Sequence, residues 1–150
     1  MSRAAQASAL PRSRIDAMSR RSADPLADDI ALPRPDAPVE ERFEGALLRD
    51  DPFELQELIA EIALASDARV WAECCCAQLT KHRNAEVRGN ALRGFGHLAR
   101  RFGILDPNRV RPLIENGLHA RHELVRSEAE SAADDVETFL AWHFDRPVRD

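Results

Sequence analysis

The sequence predicts an all-α fold, a short right-handed α-solenoid of stacked helical hairpins, and three observations lead there. Asn84 to Leu98 is written a second time 38 residues on, at His122 to Val136: Val87 and Arg88 fall on Val125 and Arg126, Ala91 on Ala129, and Leu98 on Val136. The segment ahead of each copy repeats as well, at a shift of 39, so that Trp71, Cys74, Cys75 and Leu79 fall on Val110, Leu113, Ile114 and Leu118. Tyr is absent and aromatic residues are only 5% of the chain, so the core has to be aliphatic and Ala-rich, as closely packed helices allow. A helix–turn–helix unit recurring every 38 or 39 residues is how a solenoid announces itself, because one unit cannot bury its apolar face alone.

The chain opens with a stretch, residues 1–42, that reads as a disordered leader. It holds Pro11, Pro25, Pro33, Pro35 and Pro38 and sustains no apolar period. Its first half carries Arg3, Arg12, Arg14, Arg20 and Arg21 against Asp16; its second half is acidic, with Asp24, Asp28, Asp29, Asp36, Glu40 and Glu41. No apolar core suited to a secretory signal is present, and Met18 is an alternative start. The helical repeat domain is expected over residues 43–142, and HFDRPVRD, residues 143–150, as a short tail.

Asp51 and Pro52 form an N-cap and first-turn pair that starts a helix through Ala65, with Phe53, Leu55, Leu58, Ile59, Ile62 and Ala63 inward. Ala68 to Thr80 follows, with Trp71, Cys74, Cys75 and Leu79 on its apolar side. Lys81 to Arg83 is a polar turn, and Asn84 caps the central helix, Ala85 to Phe102. On that helix Val87, Ala91, Gly94, Phe95, Leu98 and Phe102 share one stripe. Gly103 ends it, Asp106-Pro107 opens a helix to about Leu118, and Pro112 is expected to kink that helix. The last helix, from Glu123 to about Trp142, buries Val125, Ala129, Ala132, Ala133, Val136 and Leu140.

Composition narrows the function classes. A net charge of −5 argues against nucleic acid as the main partner, and no apolar run is long enough to span a membrane. Arg supplies all but one of the 21 basic residues, which reads as a GC-rich bacterial genome rather than a binding device. Cys74, Cys75 and Cys76 are consecutive, fan about 100° apart on a helix, and cannot converge on one metal ion; they read as small apolar fillers in a reducing cytoplasm. No cofactor or metal site is expected. His119-x-x-His122 has metal-like spacing but lies on a turn without a third ligand.

Away from its core stripe the central helix carries Glu86, Asn90, Arg93, His97 and Arg100 or Arg101, and Gly89, Gly94 and Gly96 lie in the same helix. Helix-interior glycines cost about 0.5–1 kcal/mol each relative to Ala and point to close backbone approach. Gly94 fits helix–helix packing, while Gly89 and Gly96 point outward. In the 38-residue register His97 lies beside Asp135, Arg93 beside Ser131, and Asn90 beside Glu128. The expected partner-binding surface is therefore Asn90, Arg93, His97, Glu128, Ser131, Asp134 and Asp135, against the plainer reading of inter-repeat ion pairs worth about 0–1 kcal/mol each. His97 with Asp135 invites acid–base chemistry, but the register places no nucleophile beside it apart from Ser131 one turn earlier, and no catalytic residue is expected.

The V-R-x-x-A pattern, twice, after a partner helix of which one holds Pro112, resembles the HEAT repeat over roughly residues 68–140, with Phe53 to Ala65 as a capping helix. The resemblance implies structural roles for Arg88 and Arg126, satisfying turn carbonyls or neighbouring carboxylates, and for Gly94 and Phe95 in packing. HEAT units usually place Asp before the V-R pair; here Asn84 and His122 stand there. Arg88-Gly89-Asn90-Ala91, Gly94-Phe95-Gly96-His97-Leu98-Ala99-Arg100 and Asp134-Asp135 also resemble small bacterial HEAT-type proteins that sit beside polymorphic toxins and look like immunity proteins. That likeness implies a non-catalytic protein that occludes a cognate toxin, its acidic last helix (Glu123, Glu128, Glu130, Asp134, Asp135, Glu137) meeting basic residues of the partner. The alternatives are a scaffold for an enzyme complex, or a HEAT-like lyase or DNA enzyme, which would need a reactive cysteine or a basic groove.

Overall fold

Helices are the sole regular structure among residues 35–148, the residues that the computed structural model describes. The expectation of disorder over residues 1–34 lies outside them. The chain divides into one unit ending at Arg49 and another beginning at Asp50.

The first unit contains α1, Val39–Arg49, which begins within the stretch expected to be leader. The sequence boundary at residue 42 is thus late. Glu40 and Glu41 in the first turn and Arg49 in the last complement the helix dipole, and the Arg42 guanidinium closes the entry by donating to the Ala37 carbonyl at 3.0 Å. Proline density hides this signal, because Pro38 precedes the helix and does not break it.

The second unit contains α2 (Pro52–Ala65), α3 (Arg69–Leu79), α4 (Ala85–Phe102), α5 (Pro107–Leu118) and α6 (Glu123–Leu140). Their starts are set by local chemistry. Asp51, Asn84 and Asp106 each accept backbone N–H donors from the first turn, and Pro52 and Pro107 sit where a missing N–H has no consequence. Gly103 ends α4 at φ 67, a left-handed conformation that glycine enters without strain. Helix α5 runs through Pro112 unbroken.

Helices α2, α4 and α6 lie side by side with α4 in the middle; α3 packs on α4 and α5 on α6, making a second row. The middle position explains why α4 is buried over a much wider arc than one stripe: Val87, Gly89, Ala91, Leu92, Gly94, Phe95, Gly96, Leu98 and Ala99 are all inside. Phe102, expected in the stripe, is only partly covered. The core is aliphatic and Ala-rich, with Leu55, Ile59, Ile62, Leu79, Ile114 and Leu118 fully buried around Phe95. Gly117 lets the rows close, since a Cβ there would stand 2.8 Å from both Ala129 Cβ and Leu92 Cδ1.

Helix α3 is turned relative to expectation. Ala72, Glu73, Cys75, Cys76 and Leu79 are buried, while Trp71 is partly covered and Cys74 faces outward. Glu73 sets that rotation. Its carboxylate, with no exposed surface, pairs with Arg69 one turn earlier and accepts from Arg109 Nη1 of α5 at 2.8 Å and from the Asp106 amide at 3.3 Å. Fully buried charge is tolerated only when paired and hydrogen-bonded in this way. Phe53, expected inward on α2, is 70% exposed.

The segment after α6 is anchored by Phe144. Phe144 is buried, and the Arg111 guanidinium lies 5.0 Å from the ring centroids of both Trp142 and Phe144 while donating to the His143 carbonyl. Leu140, expected in the core, is only partly covered.

Candidate functional site

The repeat seen in the sequence reappears in hydrogen bonds. Arg88 Nη1 donates to the carbonyls of His82 and Arg83, both at 3.0 Å, and Arg126 Nη1 donates to those of Ala120 and Arg121 at 2.9 and 2.7 Å. Donor and acceptors all stand 38 residues from their counterparts. Each guanidinium reaches back from the second helix of a hairpin and fixes the turn that precedes it. The first turn is held further by Asp50, which takes His82 Nε2–H at 2.6 Å and Arg83 Nη2–H at 2.9 Å. His82 Nδ1 accepts from the Asn84 amide, which leaves the ring proton on Nε2. The hydrogen bond from His82, then the charge of Arg83, outweigh burial and hold the Asp50 carboxyl below its ordinary value.

Between α4 and α6 the side chains of Arg93, His97, Arg100, Ser131, Ala132, Asp134 and Asp135 line a cleft of about 340 Å³. Most of the expected binding residues therefore meet in one place. Two ion pairs cross it: Arg93 Nε to Glu128 Oε1 and Arg100 Nη1 to Asp135 Oδ2, each 2.9 Å. Arg100 also donates through Nη2 to His97 Nδ1 at 2.5 Å. Because a guanidinium can only donate, His97 is the Nε2–H tautomer. Burial, together with the positive charge of Arg100 and Arg93, pushes the His97 pKa below its ordinary value, and the opposing pull of Asp135 and Glu128 does not reverse it. The histidine stands as a neutral donor in this cleft.

Asn90 departs from the expected set. It donates to Gln56 Oε1 of α2 at 3.0 Å, on the flank of α4 away from Glu128, whose partner is Arg93. The 38-residue register aligns equivalent positions, but it does not say which rung of a neighbouring helix a long arginine will reach. Gly89 and Gly96, read as outward, are buried and face α6: a Cβ on Gly89 would lie 3.1 Å from Glu128 Cγ, and one on Gly96 2.6 Å from Asp135 Oδ2. They are the space into which the acidic side chains of α6 fold back to meet Arg93 and Arg100. On the other flank Gly94 admits Cys76, whose Sγ a Cβ would meet at 2.7 Å.

Sequence reasoning missed Arg146. From beyond α6 its Nη2 donates to Asp134 Oδ1 at 2.8 Å and to Glu137 Oε1 at 3.1 Å, while Nη1 donates to the Phe144 carbonyl at 2.8 Å. Burial opposes ionisation of Glu137, but the Phe144 amide and the Arg146 guanidinium outweigh it and lower its pKa. Four carboxylates of α6 are thus paired within the chain by three arginines: Glu128 with Arg93, Asp135 with Arg100, and Asp134 and Glu137 sharing Arg146. An R-x-V after a turn of aromatic residues gave no sequence signal for this.

Other candidates resolve simply. His122 caps α6, Nδ1 accepting from the Leu124 amide at 3.2 Å, and His119 contacts the Glu115 carbonyl. No cluster suited to a metal ion occurs among the described residues, and no described helix is long and apolar enough to cross a membrane. Burial, and then the neighbouring Cys75 and Glu73, push the Cys76 thiol far up, so it is no thiolate nucleophile. Comparison with protein-family models, curated proteins and solved structures returns no match.

Proposed function

We propose that the unit from Asp50 onward is a short right-handed α-solenoid of the HEAT type that binds a protein partner through the cleft between α4 and α6, without catalysis. The observation that carries this reading is the meeting of two sequence segments far apart in the chain. Gly96, His97 and Arg100 of the glycine-rich stretch converge on Asp135 of the Asp-Asp pair. Three glycines in one helix are a sustained cost in helix propensity, and two of them, Gly89 and Gly96, serve the seating of charged side chains at a cleft. The turn clamps of Arg88 and Arg126 favour the repeat architecture, and stacked repeats present partners with their inner face.

The partner best matched to the sequence resemblance is a bacterial toxin, and the mechanism is stoichiometric occlusion rather than turnover. The buried Cys76 weighs against a lyase and the balanced charge of the cleft against a nucleic-acid enzyme. A scaffold for an enzyme complex would use the same cleft; relief of toxicity separates the two.

The test places a photo-crosslinking amino acid at Ser131 and, as a control, at the exposed Glu115 of α5. Capture of one protein from Ser131 and not from Glu115, weakened about thirtyfold by Arg93→Glu (about 2 kcal/mol), is the expected result. Capture unaffected by Arg93→Glu removes the cleft from consideration. Coexpression with toxins encoded beside the gene checks the immunity reading: wild type should restore growth and Arg93→Glu should not.

A further inference from the structure

We infer that Asp134 is a guanidinium-accepting site for an arginine of the protein partner, and that the chain's own Arg146 occupies it as a displaceable strap. This rests on the reading of the cleft as a partner surface.

Asp134 belongs to two places at once. Its side chain lines the cleft with Arg93, His97 and Ser131, and its Oδ1 accepts from Arg146 Nη2 at 2.8 Å. Arg146 is held as a fork: Nη1 on the Phe144 carbonyl and Glu137 Oε2, Nη2 on Asp134 and Glu137 Oε1. The planar guanidinium matches that set of acceptors in a way an ammonium does not. Two other carboxylates at this surface are committed to helix α4. Glu128 and Asp135 are tied to Arg93 and Arg100, whose removal would dismantle the cleft itself. Asp134, 72% exposed, is held by Arg146, which lies beyond α6 rather than on α4.

The consequence is a competition. A tethered arginine acts at a high effective concentration, so a short basic ligand meets a pre-filled site, whereas a partner that also engages Arg93 and Ser131 can displace the strap. Release would leave Glu137 and the Phe144 carbonyl without their cation and would loosen the segment that carries Trp142 and Phe144 over Arg111. Trp142 therefore reports on the strap.

The test titrates the full chain with a tri-arginine peptide and, for comparison, tri-lysine, by isothermal titration calorimetry, while Trp142 emission in the Trp71→Phe parent follows release of the strap. Arg146→Ala in that background should bind tri-arginine roughly fivefold more tightly than the parent, because the internal competitor is gone. Adding Asp134→Asn should erase the gain, and tri-lysine should gain less. Arg146→Lys, which keeps the charge without the fork, should fall between, and thermal unfolding followed by circular dichroism verifies that each variant is folded. Equal affinity of the parent and Arg146→Ala, a gain that survives Asp134→Asn, or no binding of tri-arginine to Arg146→Ala at millimolar concentration overturns the inference. Those outcomes leave the crosslinking result at Ser131 intact. Loss of that crosslinking with a normal peptide response would instead remove the protein-partner reading.

Discussion

His97 shows what a single residue contributes at the cleft. Its Nδ1 is committed to Arg100, and protonation would have to expel that donor while adding positive charge beside two guanidinium groups. The folded-state pKa is lowered, so the unfolded chain takes up this proton first as pH falls. The histidine's stabilising contribution is thus complete well above the ordinary value of 6.5 and is lost as pH drops through that value toward the lower folded one. Urea midpoints at pH 7.5 and 5.5 should separate more for wild type than for His97→Gln, which keeps a side-chain amide but cannot titrate. Equal separation would mean that the other histidines account for the whole dependence. At this scale the sequence conveyed which residues share the cleft better than which atoms meet. Arg93, His97, Ser131 and Asp135 are correctly grouped by the repeat register, whereas Asn90 turns to Gln56 because that amide lies across the opposite flank of α4. Gly89 and Gly96 were misread for a related reason: an apolar wheel measures what the core wants, and these glycines make room for charged side chains.

The elements were legible wherever local chemistry fixes them. Asn84, Asp51, Asp106, Pro52, Pro107 and Gly103 mark helix ends through short-range hydrogen bonds or φ preferences that hold whatever the tertiary context. Helix α3 was harder, because its orientation is decided by Glu73, an ionisable residue that pattern reading assigns to solvent. The partners that make its burial tolerable, Arg69 and Arg109, come from two helices. That arrangement gives an asymmetric prediction. Arg69→Ala with Arg109→Ala strands the carboxylate in the interior and should cost about 3–5 kcal/mol, whereas Glu73→Leu, of similar size, should cost no more than about 1–2 kcal/mol. Chemical denaturation of the two variants measures this directly. A double arginine variant no less stable than Glu73→Leu would show that Glu73 is solvated in solution.

For the molecule as a whole, the second unit is two rows of helices in which α4 carries most of the packing, and part of the acidic charge of α6 is offset by arginines from α4 and from beyond α6. A charge tally taken from sequence therefore misstates the surface that a partner meets. Helix α1, like the packed segment around Phe144, escaped notice because flanking prolines and short length mask order that depends on a few specific contacts. The paired clamps of Arg88 and Arg126 have a different import, for they give the turns inside the two hairpins the same fastening. Inserting a second copy of residues 84–121 after Arg121 would set the new Arg88 over the carbonyls of Ala120 and Arg121, where Arg126 now sits. Such a lengthened chain should gain helical ellipticity in step with its added residues, unfold in one transition and resist limited proteolysis at the junction; cleavage there would mean that the joint is not portable. By this measure the protein's length is adjustable, and a reach suited to a larger target is one tandem duplication away.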